Sequence, residues 1–338
     1  MTVVGIGNVV FIYMEKRKIT REIIHIISRH SNWQAAEVES AFKEHSIYAG
    51  SRQWAGFLNL LLPGLGVSLA LSGIIFFFAY NWAAMHKFVK LGMVEGAIAL
   101  SIAVAVWPRV PALIKNIALA AASVLVGALF AVFGQIYQTG ADAYDFFLGW
   151  TMFVAIWVLV SGFAPLWLLG LALVNTSVFL YSEQVAENWS PQTAYNILFI
   201  INTLAAVIVE IRSLKADAGK RPQWFIQTSA IAAIVAITIS IVFSIFGSAV
   251  MEGVAAFLLG LIGLGTGMAY GFKTKSIFYI SSISFSVIVI ICALIIKPIH
   301  DPIGTFFIVS IFLIGSTTSL IFKLIKLSKQ WHGSNQPD

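Results

Sequence analysis

Asp142 and Asp145 stand three residues apart in the one stretch where acidic, amide and aromatic side chains crowd together, Gly134-Gln135-Ile136-Tyr137-Gln138-Thr139-Gly140-Ala141-Asp142-Ala143-Tyr144-Asp145. On a helical turn both carboxylates would share a side, where they could hold a cation or a basic ligand or act as an acid/base pair. Solvated loop carboxylates are the simpler account. Glu95 is the second candidate. It follows the start of a long apolar run by about seven residues, on the order of 10 Å of helix. An ionisable group at such depth faces a partner or a cavity. Gly92 and Gly96 flank it at GxxxG spacing, which predicts a close helix neighbour. Gln135, Asn175 and Asn202 are amides inside other apolar runs. With Glu95 they would line one outward-facing polar cavity, roofed by residues 135–145 with Tyr137 among them. Interhelical hydrogen bonding is the competing account of the amides.

The elements that must carry these residues are membrane spans. Hydrophobic residues make up 59% of the 338-residue chain, charged residues 11%, and mean hydropathy is +0.89. About ten apolar runs of membrane-crossing length follow one another: roughly 57–80, 88–106, 112–135, 146–163, 165–182, 194–211, 224–246, 250–271, 276–296 and 303–325. The fold class is therefore all-α, polytopic integral membrane. The lipid bilayer is the expected partner. A net charge of +6 sits at the ends of apolar runs, which suits membrane orientation and not nucleic acid.

The connections alternate in charge. One set carries Arg109 and Lys115; Arg212, Lys215, Lys220 and Arg221; Lys273 and Lys275; and Lys323, Lys326 and Lys329. The other carries Asp142 and Asp145, Glu183 and Glu187, then Glu252, with Lys87 and Lys297 as exceptions. The positive-inside rule makes the first set cytoplasmic, together with both termini. Tyr137, Tyr144 and Trp150 fall near expected span ends, where amphipathic rings favour the interface.

Before the spans, residues 14–50 read as a cytoplasmic helical hairpin and a candidate docking piece for a protein partner. Ile19, Ile23, Ile26 and Ile27 recur at helical spacing after Thr20, a candidate N-cap. Ser31 and Gln34 read as a capping box for a second helix bearing Trp33, Val38, Ala41 and Phe42. Residues 1–13 are apolar, too short to span, and consistent with a misplaced start and a true start at Met14. The spans divide into 57–182 and 194–325, with a tail at 326–338. Gly263, Gly267 and Gly271 repeat at four-residue spacing, a helix-packing pattern. Cys292 is the only cysteine, and the six histidines are scattered without HExxH spacing. No metal, cofactor or catalytic residue is expected.

Two patterns resemble a family. Phe77-Phe78-Ala79-Tyr80-Asn81-Trp82, then Lys87-Phe88-Val89-Lys90-Leu91, gives an apolar helix ending in Asn-Trp, a turn, and an aromatic-plus-Lys start to the next helix. Gly134-Gln135-Ile136-Tyr137 with the acidic turn and Leu148-Gly149-Trp150 is the other. Over about residues 17–182 the chain resembles the DUF2157 family of uncharacterised bacterial membrane proteins. The resemblance implies a membrane protein and leaves activity open. Three functions remain: a small-solute transporter through the Glu95 region, a non-catalytic scaffold or envelope assembly factor docking through residues 14–50, and an outer-face enzyme using Asp142 and Asp145. The enzyme reading is the least supported, because no nucleophile–base constellation accompanies the two acids.

Overall fold

The computed structural model describes residues 21–44, 50–137, 140, 142–215, 222–247, 249–299 and 301–332. Residues 1–13, Met14, Ile19, Thr20, His45, Lys220, Arg221, His300 and the last six residues lie outside them. The described residues form twelve α-helices and no strand. Nine are long and apolar enough to cross a bilayer. The shortest of these, with 18 residues, is about 27 Å long, close to the hydrocarbon thickness. The chain is an all-α polytopic membrane protein. It packs as two compact units, residues 1–85 and 86–338.

In the first unit, α1 (Arg21–Arg29) and α2 (Ala35–Glu44) form the expected hairpin. Its core is Ile24, Ala41 and Phe42, with Trp33 and Val38 against them. Ile26, expected on the packed stripe, is 59% exposed, because the buried face is centred on Ile24. The cap differs too. Gln34 supplies the carbonyl that accepts from Glu37 and Val38, and its own N–H donates to Glu37 Oε2 at 2.8 Å. The cap is therefore Gln34, three residues after Ser31, whose hydroxyl is buried without a hydrogen-bond partner among the described residues. Helix α3 (Ser51–Asn81) carries the first expected span and ends in a single 3-10 turn, Trp82–Ala84.

The second unit holds α4 (Lys87–Val106), α5 (Ala112–Tyr137), α6 (Ala143–Val160), α7 (Ala164–Gln184), α8 (Pro191–Lys215), α9 (Gln223–Phe246), α10 (Val250–Lys273), α11 (Ile277–Ile296) and α12 (Pro302–His332). From α4 to α8 each helix packs on the next. Helices α8 to α11 make a bundle around α9, whose Ile237 and Ile241 are 0% and 4% exposed. Buried hydroxyls tie it together: Thr238 to Ser286 between α9 and α11, and Ser240 Oγ to Asn196 Oδ1 at 2.8 Å between α9 and α8. With lipid outside, such hydrogen bonds and close packing hold the helices where burial from water cannot. Contacts also cross the sequence boundary between residues 182 and 194: Asn175 to Asn202, and the Trp167 ring edge-on to Phe225.

Candidate functional site

Helix α10 carries Gly260, Gly263, Gly267 and Gly271, spaced three or four apart so that they share a face. A Cβ at Gly260 would meet Ile241 at 2.6 Å, at Gly267 Ile283 at 2.9 Å, and at Gly271 Ile280 at 3.0 Å; at Gly263 it would strike the Phe199 ring. The expected tight packing of the glycine repeat is present, and it brings α8, α9 and α11 onto one bare helix face. Where the four helices diverge, a cavity of about 350 Å³ opens, lined among others by Phe199, Thr203, Glu210, Thr266, Tyr270 and Tyr279. The volume is within the range of small-molecule sites.

Its walls are apolar and aromatic, and its polar groups are few. Tyr270 donates its hydroxyl to Glu210 Oε1 at 2.5 Å, and its ring stands edge-on to Tyr279 at 5.3 Å. Thr266 donates its hydroxyl back to the Ile262 carbonyl at 2.7 Å. The Thr203 hydroxyl oxygen is buried and has no hydrogen-bond partner among the described residues. An unmatched buried hydroxyl costs free energy unless something hydrogen-bonds it. Glu210 and Tyr270 lie near the chain ends of α8 and α10, the end that carries Arg212 and Lys273, so the carboxylate sits at the basic end. The arrangement offers a ligand an aromatic wall and one carboxylate, and its lining holds one buried, unmatched hydroxyl.

None of these polar residues was among the sequence candidates. The signal was Thr203 and Glu210 seven apart on α8, facing Thr266 and Tyr270 four apart on α10. It was masked by the basic cluster that follows Glu210 and makes it read as one more charge at a helix end.

The expected residues take other places. Asn175 and Asn202 meet, Asn202 Nδ2 donating to Asn175 Oδ1 at 2.6 Å and Asn175 Nδ2 to Asn202 Oδ1 at 3.1 Å. Each amide also donates to a carbonyl four residues back, Asn175 to Leu171 at 2.7 Å and Asn202 to Leu198 at 2.8 Å. The pair is saturated and clamps α7 to α8. Glu95 is exposed on α4 along a stripe with Gly92, Gly96, Ala99 and Ala103, while Leu91, Val94, Ile98 and Ser101 on the other faces are more covered. A Cβ at Gly92 or Gly96 would meet nothing within 4 Å, so the close neighbour expected from GxxxG is not there among the described contacts. Neither Glu95 nor Gln135 lines the cavity above, and Gln135 is exposed near the end of α5.

The stretch 134–145 is mostly helix. Gly134 to Tyr137 form the last turn of α5, Gly140 turns the chain with φ +62°, and Asp142 caps α6 with Asp145 in its first turn. Both carboxylates are exposed where the helix dipole favours negative charge. Lys87, an exception to the charge alternation, lies 5.7 Å from the Tyr137 ring centroid, a cation–π distance. Tyr144 donates its backbone N–H to Gln184 and begins a ring series with Tyr181 and Trp189, 5.1 Å apart at each step. Trp150 departs from its expected interfacial place. It is partly buried between α5 and α6, its indole N–H donating to the Ser123 carbonyl at 2.7 Å and its ring lying 2.5 Å from where a Cβ at Gly127 would be. A small residue opposite it draws the indole inward. Asn81 is the last residue of α3, and Trp82, partly covered, begins the 3-10 turn. Among the described residues no cluster of three His, Cys, Asp or Glu could hold a metal.

No curated protein and no solved structure matches the chain. The family model of DUF2157, described as a predicted membrane protein, matches residues 25–167, from α1 to the start of α7, and so stops short of the α8–α11 cavity. The match takes in both Asn81-Trp82 and the residues 134–150 that carry the resemblance, and over residues 25–167 the chain is similar to the DUF2157 family of predicted membrane proteins.

Proposed function

We propose that this protein is a multi-pass protein of the bacterial cytoplasmic membrane that binds a small solute in the α8–α11 cavity and moves it across the bilayer. The observation that carries the reading is the cavity of about 350 Å³, with Glu210 and Tyr270 joined at its basic end and Thr203, its hydroxyl buried and unmatched, in its lining. A carboxylate at the margin of a helix bundle can take up a proton or a cation with the solute. Basic residues at alternate connections support cytoplasmic termini, which puts the Glu210 end of the cavity inward. That differs from the outward cavity expected around Glu95, and the two sites can be compared in one assay.

The test is a melting-temperature screen of the purified protein against amines, amino acids, carboxylates and sugars, followed by uptake of any hit into proteoliposomes. A hit should stabilise the wild type, and uptake should be lost in Glu210→Gln and kept in Glu95→Gln. Loss with Glu95→Gln alone would return the site to α4. No stabilising compound in any class counts against a solute site in the cavity.

A scaffold role is the second reading. It is supported by the α1–α2 hairpin, which has its own small core and leaves Ile26 exposed. Deleting residues 21–44 should then abolish capture of a protein partner without reducing membrane insertion. The enzyme reading has less support, since Asp142 and Asp145 serve the start of α6.

A further inference from the structure

Helices α6, α7 and α8 enclose a second space of about 440 Å³, and it differs in kind from the first. Each helix contributes one stripe. From α8 come Ile201, Leu204, Ala205, Ile208, Val209 and Arg212, spaced i, i+3, i+4, i+7, i+8 and i+11. Trp167, Gly170, Leu171 and Val174 of α7 form the floor, and α6 supplies the opposite wall from Thr151 to Leu159. The floor is recessed because Gly170 lets α7 close on α6: a Cβ there would meet Val158 at 2.7 Å. The groove opens on the outside of the helices, where Leu159, Leu204 and Ile208 are 74%, 53% and 50% exposed. Phe225 and Trp167 close its basic end, and Arg212 is the one charged side chain along it.

Length and charge together select an occupant. From Ile201 to Arg212 the groove follows eleven residue steps of α8, about 16 Å at 1.5 Å per step. One leaflet of a bilayer is about 15 Å of hydrocarbon. The groove therefore runs from mid-bilayer to the headgroup level and ends in a guanidinium, the side chain that best fits a phosphate. Its polar rim lies at the basic end, where anionic headgroups gather by charge. We propose that this groove is a binding site for an anionic phospholipid, one acyl chain lying along α8 between α6 and α7 and the headgroup phosphate meeting Arg212. The site is separate from the α8–α11 cavity and does not depend on its being a solute site.

Native mass spectrometry of the delipidated full chain tests this, with phosphatidylglycerol and phosphatidylcholine of identical acyl chains as probes. The wild type should retain one phosphatidylglycerol in preference to phosphatidylcholine. Arg212→Gln should weaken phosphatidylglycerol binding about fivefold, toward parity with phosphatidylcholine, since one interfacial basic residue contributes about that factor. Ala205→Trp should fill the groove and reduce retention of both lipids. If that variant elutes aggregated, Ala155→Phe fills the groove from the opposite wall and takes its place. Equal binding of the two lipids by wild type, or an unchanged preference in Arg212→Gln, overturns the proposal. So does a species of twice the mass that only the groove-filling variant removes, which would assign the groove to a second copy of the chain.

Discussion

Asn175 on α7 and Asn202 on α8 exchange side-chain hydrogen bonds in both directions, and each amide spends its remaining N–H on its own helix. Truncating either one orphans the other in a place where Asn202 is 2% exposed. Asn175→Ala and Asn202→Ala should each lower stability by about 1–2 kcal/mol. The double variant should lose clearly less than the sum, because the second truncation removes a group already unpaired. Additive losses in a melting series in detergent would show that the amides act independently.

Gly263 and Gly96 are both helix glycines in GxxxG patterns, and the structure separates them. Gly263 lies under the Phe199 ring, while a Cβ at Gly96 would meet nothing within 4 Å. Gly263→Ala should destabilise by about 1–3 kcal/mol through overpacking and, because Gly263 and Phe199 line the cavity, change its shape. Gly96→Ala should be neutral or raise stability by up to about 1 kcal/mol through the gain over glycine in a helix. Equal melting temperatures for the two variants would contradict the close approach at Phe199.

The contrast shows what the sequence could carry. Length and hydropathy report directly on membrane crossing, so the expected runs at 57–80 through 303–325 each fall on one helix from α3 to α12. Which face of a span meets protein is not written in hydropathy, because lipid and neighbouring helices are equally apolar. Gly92 and Gly263 are therefore indistinguishable as letters. The same ambiguity hid Glu210, whose meaning comes from Tyr270 sixty residues later. The Asn175–Asn202 pair was visible only as two amides with two readings, and their mutual geometry decided between them.

Trp150 gives the third prediction. Its indole N–H reaches the Ser123 carbonyl across α5, and its six-membered ring covers Gly127. Trp150→Phe should cost about 1 kcal/mol for the lost hydrogen bond, more with the reduced packing. Gly127→Ala should be destabilising in the wild type and markedly less so in the Trp150→Phe background, since the smaller ring leaves room for the methyl group. A Gly127→Ala penalty that is the same in both backgrounds would mean that the indole is not what fills the space over Gly127.

The hairpin offers a test of register at a single helix start. The N–H of Gln34 is taken by Glu37, and the Ser31 hydroxyl has no partner among the described residues although it is buried. If Gln34 caps α2, Glu37→Ala removes a working half of the cap and should cost about 1 kcal/mol. Ser31→Ala removes an unsatisfied buried hydroxyl and should be neutral or stabilising. A Ser31 cap makes the opposite prediction, with the serine variant the damaged one. Amide hydrogen exchange across residues 35–44 in the full-length protein distinguishes them, because the loss of a cap frays the first turn before it unfolds the helix. Faster exchange in Glu37→Ala alone fixes the start of α2 at Ala35, and with it the face that sets Ala41 and Phe42 against Ile24.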